Sequence, residues 1–286
     1  MSLESIPRLM QHARRHDYAL GYFESWSLES VQGVIDAAEA TRSPVIIGFN
    51  GEWLAERQNA SAQELRLYAA LGRAAATEAN VPVGFIFNEC PNDAWVEQAI
   101  GAGFNLVMPA DPHAPLEDYT RRVKRLTALA HSHEVAVEAD FEADALDAVA
   151  YAEGAAKFVA ETGVDLLAIS VGNEEIKLEG RSPLDLNRLE AVGRRVDVPL
   201  VLHGGTGIED DSIKAAIHLG VRKINYGTYM KQKYLRVIRE ALATAEPNPH
   251  ALLGDGSQTD LMVVGRHVVK DAVLERIELL GCCGRA

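Results

Sequence analysis

Short apolar runs of β type recur eight times along this chain, and a helical pattern follows each of them. The runs fall near 18–23, 45–49, 82–88, 105–108, 135–139, 165–170, 199–202 and 222–226, each too short for a buried helix. The helical stretches fall near 28–40, 62–79, 92–102, 116–132, 145–162, 185–195, 209–219 and 229–245. Strict alternation calls for parallel strand pairing with the helices outside, which predicts an α/β fold: a (β/α)8 TIM barrel. An amphipathic helix over 5–15 precedes the first run, and another helical stretch over 260–280 follows the last. Pro247 and Pro249 break the chain before that final stretch, and Gly254 to Gln258 connect to it. No Ser/Gly linker, charge block or low-complexity segment divides the sequence. Residues 1–286 are therefore expected to form a single barrel domain with a C-terminal helical extension over about 255–286.

A length of 286 residues suffices to bury the core of one such barrel. The formal net charge of −13 excludes nucleic acid and anionic membrane as expected partners, because both repel an acidic surface. A phosphorylated small molecule stays open, since a local nest of N–H groups or a metal overrides the overall field. Three cysteines, Cys90, Cys282 and Cys283, give neither a disulfide framework nor a Cys-x-x-Cys zinc site. With no long apolar N-terminal segment, a cytoplasmic protein without a membrane span is the expectation.

The densest chemistry lies in Val198-Pro199-Leu200-Val201-Leu202-His203-Gly204-Gly205-Thr206-Gly207-Ile208. An apolar strand ends in a histidine, enters a glycine-rich turn and gives way to a helical pattern with acidic residues in its first turn. Glycines let backbone N–H groups approach an anion, and a helix start attracts negative charge. A second handover, Gly220 to Thr228, follows one unit later. Two neighbouring strand ends of this kind suit one phosphate, as after strands seven and eight of many barrels. Gly204, Gly205, Thr206, Asn225 and Thr228 are the expected phosphate-binding residues.

In a barrel, chemistry gathers at the C-terminal strand ends. Polar residues there are Glu24 after strand one, Asn50 after two, and Asn88 with Glu89 after three. Glu138 and Asp140 follow five, Glu174 and Glu175 follow six, and His203 follows seven. Which of Glu138 and Asp140 turns inward is left open by the pattern. Converging carboxylates repel one another unless protonated or bridged by a cation. Oxygen donors with one imidazole favour Mn²⁺ or Mg²⁺, with Zn²⁺ as a further option. His113, His131 and His133 lie in loop or helix-end contexts and read as structural.

The chain resembles the class II, metal-dependent fructose-bisphosphate and tagatose-bisphosphate aldolases. The resemblance runs through residues 28–47, 99–108, 162–172, HGGTGI at 203–208, VRKINYGT at 221–228 and the terminal 268–286. It implies that Gly204, Gly205, Thr206, Asn225 and Thr228 bind a substrate phosphate and that His203 binds metal; Asn50, at its strand end, is expected as a further substrate contact. The metal site departs from the family. Where the family has His-x-Asp-His, this chain has Ile86-Phe87-Asn88-Glu89; where it has Gly-Thr-x-His-Gly, Gly172-Asn173-Glu174-Glu175-Ile176 stands. Two metal histidines become Glu89 and Glu175, the acid/base Asp becomes Asn88, and Asp140 stands for the family's Glu.

The resemblance thus implies an aldolase-like carbon–carbon lyase that cleaves or forms a phosphorylated ketose through a metal-stabilised enediolate. The expected ligands are Glu89, Glu175 and His203, with Asp140 as a fourth. Asn88 carries no titrating group, so proton transfer falls to Glu142 or Glu174. A metal-dependent isomerase or epimerase on the same scaffold is the alternative, and a non-catalytic sugar-phosphate-binding protein the further one. The expected partner is a small sugar or sugar phosphate, and the chain is expected to be a homo-oligomer, dimer or tetramer.

Overall fold

A computed structural model describes residues 2–55, 61–143, 147–174, 176–243 and 246–286. The strands are β1 (Leu20–Glu24), β2 (Val45–Asn50), β3 (Val83–Cys90), β4 (Leu106–Pro109), β5 (Ala136–Phe141), β6 (Leu166–Ile169), β7 (Leu200–Leu202) and β8 (Val221–Tyr226). Every neighbouring pair is parallel, β1 pairs with β8, and the sheet closes as a barrel. The expected (β/α)8 TIM barrel is the fold observed.

The helices are α1 (Ile6–His16), α2 (Leu28–Thr41), α3 (Gly51–Ala55), α4 (Ala62–Glu78), α5 (Asp93–Ala102) and α6 (Leu116–His131). They continue with α7 (Ala148–Thr162), α8 (Leu186–Gly193), α9 (Asp210–His218), α10 (Thr228–Leu242), α11 (Pro249–Leu252) and α12 (Leu261–Leu280). Several start where a short polar side chain accepts from an otherwise unpaired backbone N–H: Ser61 for α4, Asn92 for α5, Asp185 for α8 and Asp260 for α12. Such caps stabilise a helix by about 1 kcal/mol each.

The strands bury both faces. Phe85 and Phe87 point towards the helices, where Phe85 stacks on Phe104 with ring centroids 4.0 Å apart. Burying each such ring contributes roughly 1.5–3 kcal/mol. Alternate residues face the barrel interior, so Glu138 with Asp140 on β5, and Lys223 with Asn225 on β8, share one lining. Among the described residues no helix is long and apolar enough to cross a membrane.

The final helix closes the ring from outside. α12 buries Val269, Ala272, Val273, Ile277 and Leu280 against α2 and its surroundings. Arg266 forks onto Asp36 of α2 through two hydrogen bonds. At its end the Ala19 N–H donates to Leu280 O at 3.2 Å, and the Gly284 N–H donates to Thr41 O at 2.9 Å.

Candidate active site

Glu89 would face away from Asn88 if β3 alternated regularly. Instead its backbone turns left-handed, with φ of +52°, and the β3–β4 register shifts between Phe87 and Cys90. This conformation costs a non-glycine residue about 1–2 kcal/mol. It lets Glu89 join the barrel mouth, where Oε1 lies 3.2 Å from His203 Nδ1 and Oε2 accepts from Asn50 Nδ2 at 2.7 Å. Asn50 is itself fixed, its Oδ1 accepting the Trp53 N–H at 3.0 Å.

His203 divides its two nitrogens between different surroundings. Nδ1 faces the mouth, with Asp140 Oδ1 at 3.9 Å beyond Glu89. Nε2 points down to Glu138 Oε1 at 3.1 Å. Glu138 is fully buried and pairs with the equally buried Lys223, whose Nζ lies 2.9 Å from Oε2 and 3.0 Å from Oε1. Lys223 Nζ also donates to Asn225 Oδ1 at 2.6 Å. Burial opposes charge on His203, but the Glu138 hydrogen bond and the fields of Asp140 and Glu89 lift the imidazole to about 9. Burial likewise works against an ionised Glu138, yet Lys223 and His203 hold its carboxyl below the usual range.

Beside this cluster opens a cavity of about 330 Å³ whose walls include Glu89, Asp140, Glu142, Asn173 and His203. Hydroxyls pin its rim. Tyr119 donates to Pro109 O and accepts from the Asp140 N–H, while Tyr151 donates to Phe141 O and accepts from the Ser170 N–H. Asn173 donates to His203 O at 3.3 Å, which ties the loop after β6 to the end of β7.

The glycine-rich turn after β7 is built from backbone. Gly204 is left-handed with φ of +64°, and Gly205–Gly207 form one 3-10 turn. A Cβ on Gly205 would stand 2.7 Å from both Ile224 and Tyr226, so no larger residue fits without displacing β8. Thr206 Oγ1 accepts from the Tyr229 N–H at 3.0 Å, joining this turn to the start of α10 at Thr228. The expected helix near 209–219 is α9, which begins at Asp210 after an extended Ile208 that bridges to Ser182, so its start is set off from the turn. The helix start tied to the turn is thus that of α10. No side chain caps it, and the Glu24 carboxylate, paired with Lys231, packs against Gly227. Close by, Asn225 Nδ2 is buried and finds no partner among the described residues; the same holds for Asn88 Oδ1.

The expected residues are not all brought together. Asn50, Glu89, Asp140 and His203 form one cluster, and Glu142 lines the adjoining cavity. Glu174 does not line it: its carboxylate meets Lys177 Nζ at 2.6 Å and the side chain is 58% exposed. Glu175 lies outside the described residues. Glu138 and Asp140 both turn inward, one to the underside of His203 and the other to the mouth. His113, read from sequence as structural, also lines the cavity, whereas His131 bonds Asp165 and His133 meets Leu129 O. Lys223 was missed. Its signal was the period-two pattern of Val221 to Tyr226, which sets it on the same face as Asn225.

Among the described residues no three of His, Cys, Asp and Glu form a closed metal-ligand set. The donor chemistry nevertheless fits a divalent cation. Two donors each about 2.1 Å from one ion stand roughly 3.0–3.4 Å apart, and His203 with Glu89 meet that spacing. Asp140 stands somewhat farther back. The Nε2 contact with Glu138 is the arrangement by which metal-binding histidines are held, since it leaves the other nitrogen's lone pair to the ion.

Comparison with known proteins gives a consistent set of matches. The model of the family Fructose-bisphosphate aldolase class-II matches residues 4–285. A probable fructose-bisphosphate aldolase of Bacillus subtilis (strain 168) is 31% identical over 300 residues, covering 100% of both chains. A 6-phospho-5-dehydro-2-deoxy-D-gluconate aldolase of Bacillus licheniformis is 29% identical, covering 100% of this chain and 97% of that protein. Among solved structures, the YdjI aldolase from Escherichia coli K12 superposes with a TM-score of 0.83 at 31% identity, over 99% of both chains.

Proposed function

Because the chain belongs to the class II fructose-bisphosphate aldolase family, and so to the metal-dependent aldolase-type carbon–carbon lyases, we propose that it cleaves and forms a phosphorylated ketose. The observation that carries this reading is His203, with Nε2 fixed on buried Glu138 and Nδ1 turned to Glu89 and Asp140, immediately before the glycine turn. Glu89, Asp140 and His203, with Glu175, would hold a divalent ion, and the oxygen-rich set favours Mn²⁺ or Mg²⁺ over Zn²⁺. Bound there, the ion supplies positive charge against the negative charge that develops as the C–C bond breaks.

The chain's own groups account for the rest. The Gly204–Thr206 turn and the start of α10 at Thr228 present backbone donors to the substrate's phosphate. Asn225 Nδ2, a buried donor with no partner among the described residues, offers a hydrogen bond to a substrate oxygen. Asn88 Oδ1 offers the matching acceptor for a hydroxyl and moves no proton. Glu142, on the cavity wall, is the base that takes the hydroxyl proton as the aldehyde half departs. Glu174, facing Lys177, is the weaker candidate. Holding both halves of the substrate between the turn and the cavity turns binding into alignment.

The test is product analysis on a panel of ketose phosphates, with metal content measured on the same preparation. Release of a triose phosphate and an aldehyde is the expected result. A product of unchanged carbon number would make the chain an epimerase or isomerase. Tight binding of a sugar phosphate with no turnover under any metal would make it a binding protein.

A further inference from the structure

We propose that Lys223 is a positioning residue that sets both halves of the site at once: the orientation of His203 through Glu138, and the orientation of the Asn225 amide directly. The inference rests on the proposed function for its consequences, but its geometry stands alone. Lys223 carries only donors. One reaches Glu138 at 2.9–3.0 Å and another reaches Asn225 at 2.6 Å, with no solvent exposure of the lysine. Because an ammonium can only donate, Asn225 must turn Oδ1 towards it, and that choice sends Nδ2 the other way, as the unpaired donor.

The other branch fixes a tautomer. A carboxylate is acceptor-only, so Glu138 requires a hydrogen on His203 Nε2. Above its pKa of about 9 the ring is neutral and keeps its lone pair on Nδ1, beside Glu89 and Asp140. Lys223 holds Glu138 as that acceptor, since a buried carboxylate without its cation would be strongly disfavoured. The Lys223 ammonium also lies 5.1 Å from the centroid of the Tyr22 ring, a further contact that confines it. One buried cation therefore aims a lone pair at one subsite and an amide N–H at the other.

A plain charge-balancing role for Lys223 makes a different forecast, and three variants separate the two. Glu138→Gln substitutes an amide whose NH₂ can donate to Nε2 and so stabilise the ring with its hydrogen on Nδ1. Lys223→Met frees Asn225 to flip. Glu138→Gln/Lys223→Met removes both charges together and keeps the barrel interior neutral, so it tests the proposal even if a single variant fails to fold. Three readouts apply: the Zn²⁺ and Mn²⁺ dissociation constants of the chelator-treated protein, the ¹⁵N signals of the His203 ring recorded above pH 9, where the wild-type ring is neutral, and kcat and KM on a turned-over ketose phosphate.

The double variant is expected to melt near the wild type, yet bind metal about 10–100-fold more weakly. Its KM should rise with the loss of the Asn225 contact, while in Glu138→Gln, where Lys223 still holds the new amide by its oxygen, the His203 ¹⁵N signals should move to the other tautomer. Wild-type metal affinity and KM in the double variant, with unchanged ¹⁵N signals in Glu138→Gln, would overturn the proposal and leave charge balance as the sole role of Lys223. A wild type that binds no divalent ion would sink the proposed function instead, and the ¹⁵N comparison would still decide this one.

Discussion

At the ends of β7 and β8 the barrel mouth is shaped by backbone, whereas at the ends of β3 and β5 it is shaped by long acidic side chains. On the first side Gly205 packs so closely under Ile224 and Tyr226 that a single methyl group would collide with them. On the second, Glu89 reaches the site only because its backbone adopts a left-handed turn, and Asp140 stands 3.9 Å from the histidine it serves. A turn made of backbone fixes where an anion can sit and tolerates little change of sequence. A wall made of carboxylates can be rewritten residue by residue while the fold stays as it is. Under the proposed function, the difference puts binding geometry on one side and the choice of chemistry on the other.

That division can be tested, starting where the effect should be greatest. His203→Ala removes the one donor shared by both sides, and turnover should fall by about 10²–10³-fold, the scale of losing a principal electrostatic contact. Metal content of the purified variant should fall with it. Next comes Glu142→Gln, expected to lower kcat by about 10²-fold or more with metal content intact, as befits a lost proton-transfer group. Full activity in that variant would take the acid–base role away from the carboxylate wall.

The backbone side should respond in stability as well as activity. Gly205→Val inserts atoms where none fit, and urea denaturation should show a loss of about 1–3 kcal/mol. Unchanged stability would mean that β8 moves aside more easily than its packing implies. Thr206→Ala removes the acceptor for the Tyr229 N–H and should cost about 1 kcal/mol, with a several-fold rise in KM and little change in kcat. The smallest effect belongs to Glu174→Gln. Its exposed pairing with Lys177 predicts stability within about 0.5 kcal/mol of the wild type and near-normal kcat. A large drop in kcat there would move proton transfer to the loop after β6.

The same contrast explains what could be read from the chain alone. The eight strands and their helices announce themselves through local periodicity, and the glycine turn through a run of residues that only a tight backbone needs. Val221 to Thr228 carries its message in the same local way, although Lys223 stands out less in it than Asn225. The carboxylate wall was less legible because its members meet only in three dimensions. Nothing in the sequence near Glu89 announces a left-handed turn, and alternation alone would have sent its side chain outward. Nor does the spacing of Glu174 reveal that Lys177, three residues on, would hold it away from the cavity. Glu138 and Asp140 look like rivals for one inward role in the sequence, but period-two spacing gives both the same face at different depths.

The seam between β1 and β8, sealed by α12, has a consequence for how the protein comes into being. On a ribosome adding about 5–20 residues per second, Ala19 waits roughly 10–50 s before Leu280, the acceptor of its N–H, has been made. For most of that interval, until Tyr226 has been added, the nascent chain carries β1 as an open edge, with its pairing partner β8 still to be synthesised. Ring closure is thus the most non-local step of assembly, and its loop-closure entropy falls on the pairing of β8 with β1. The stage most exposed to mispairing with a neighbouring chain is the one in which β1 to β7 are made and β8 is not.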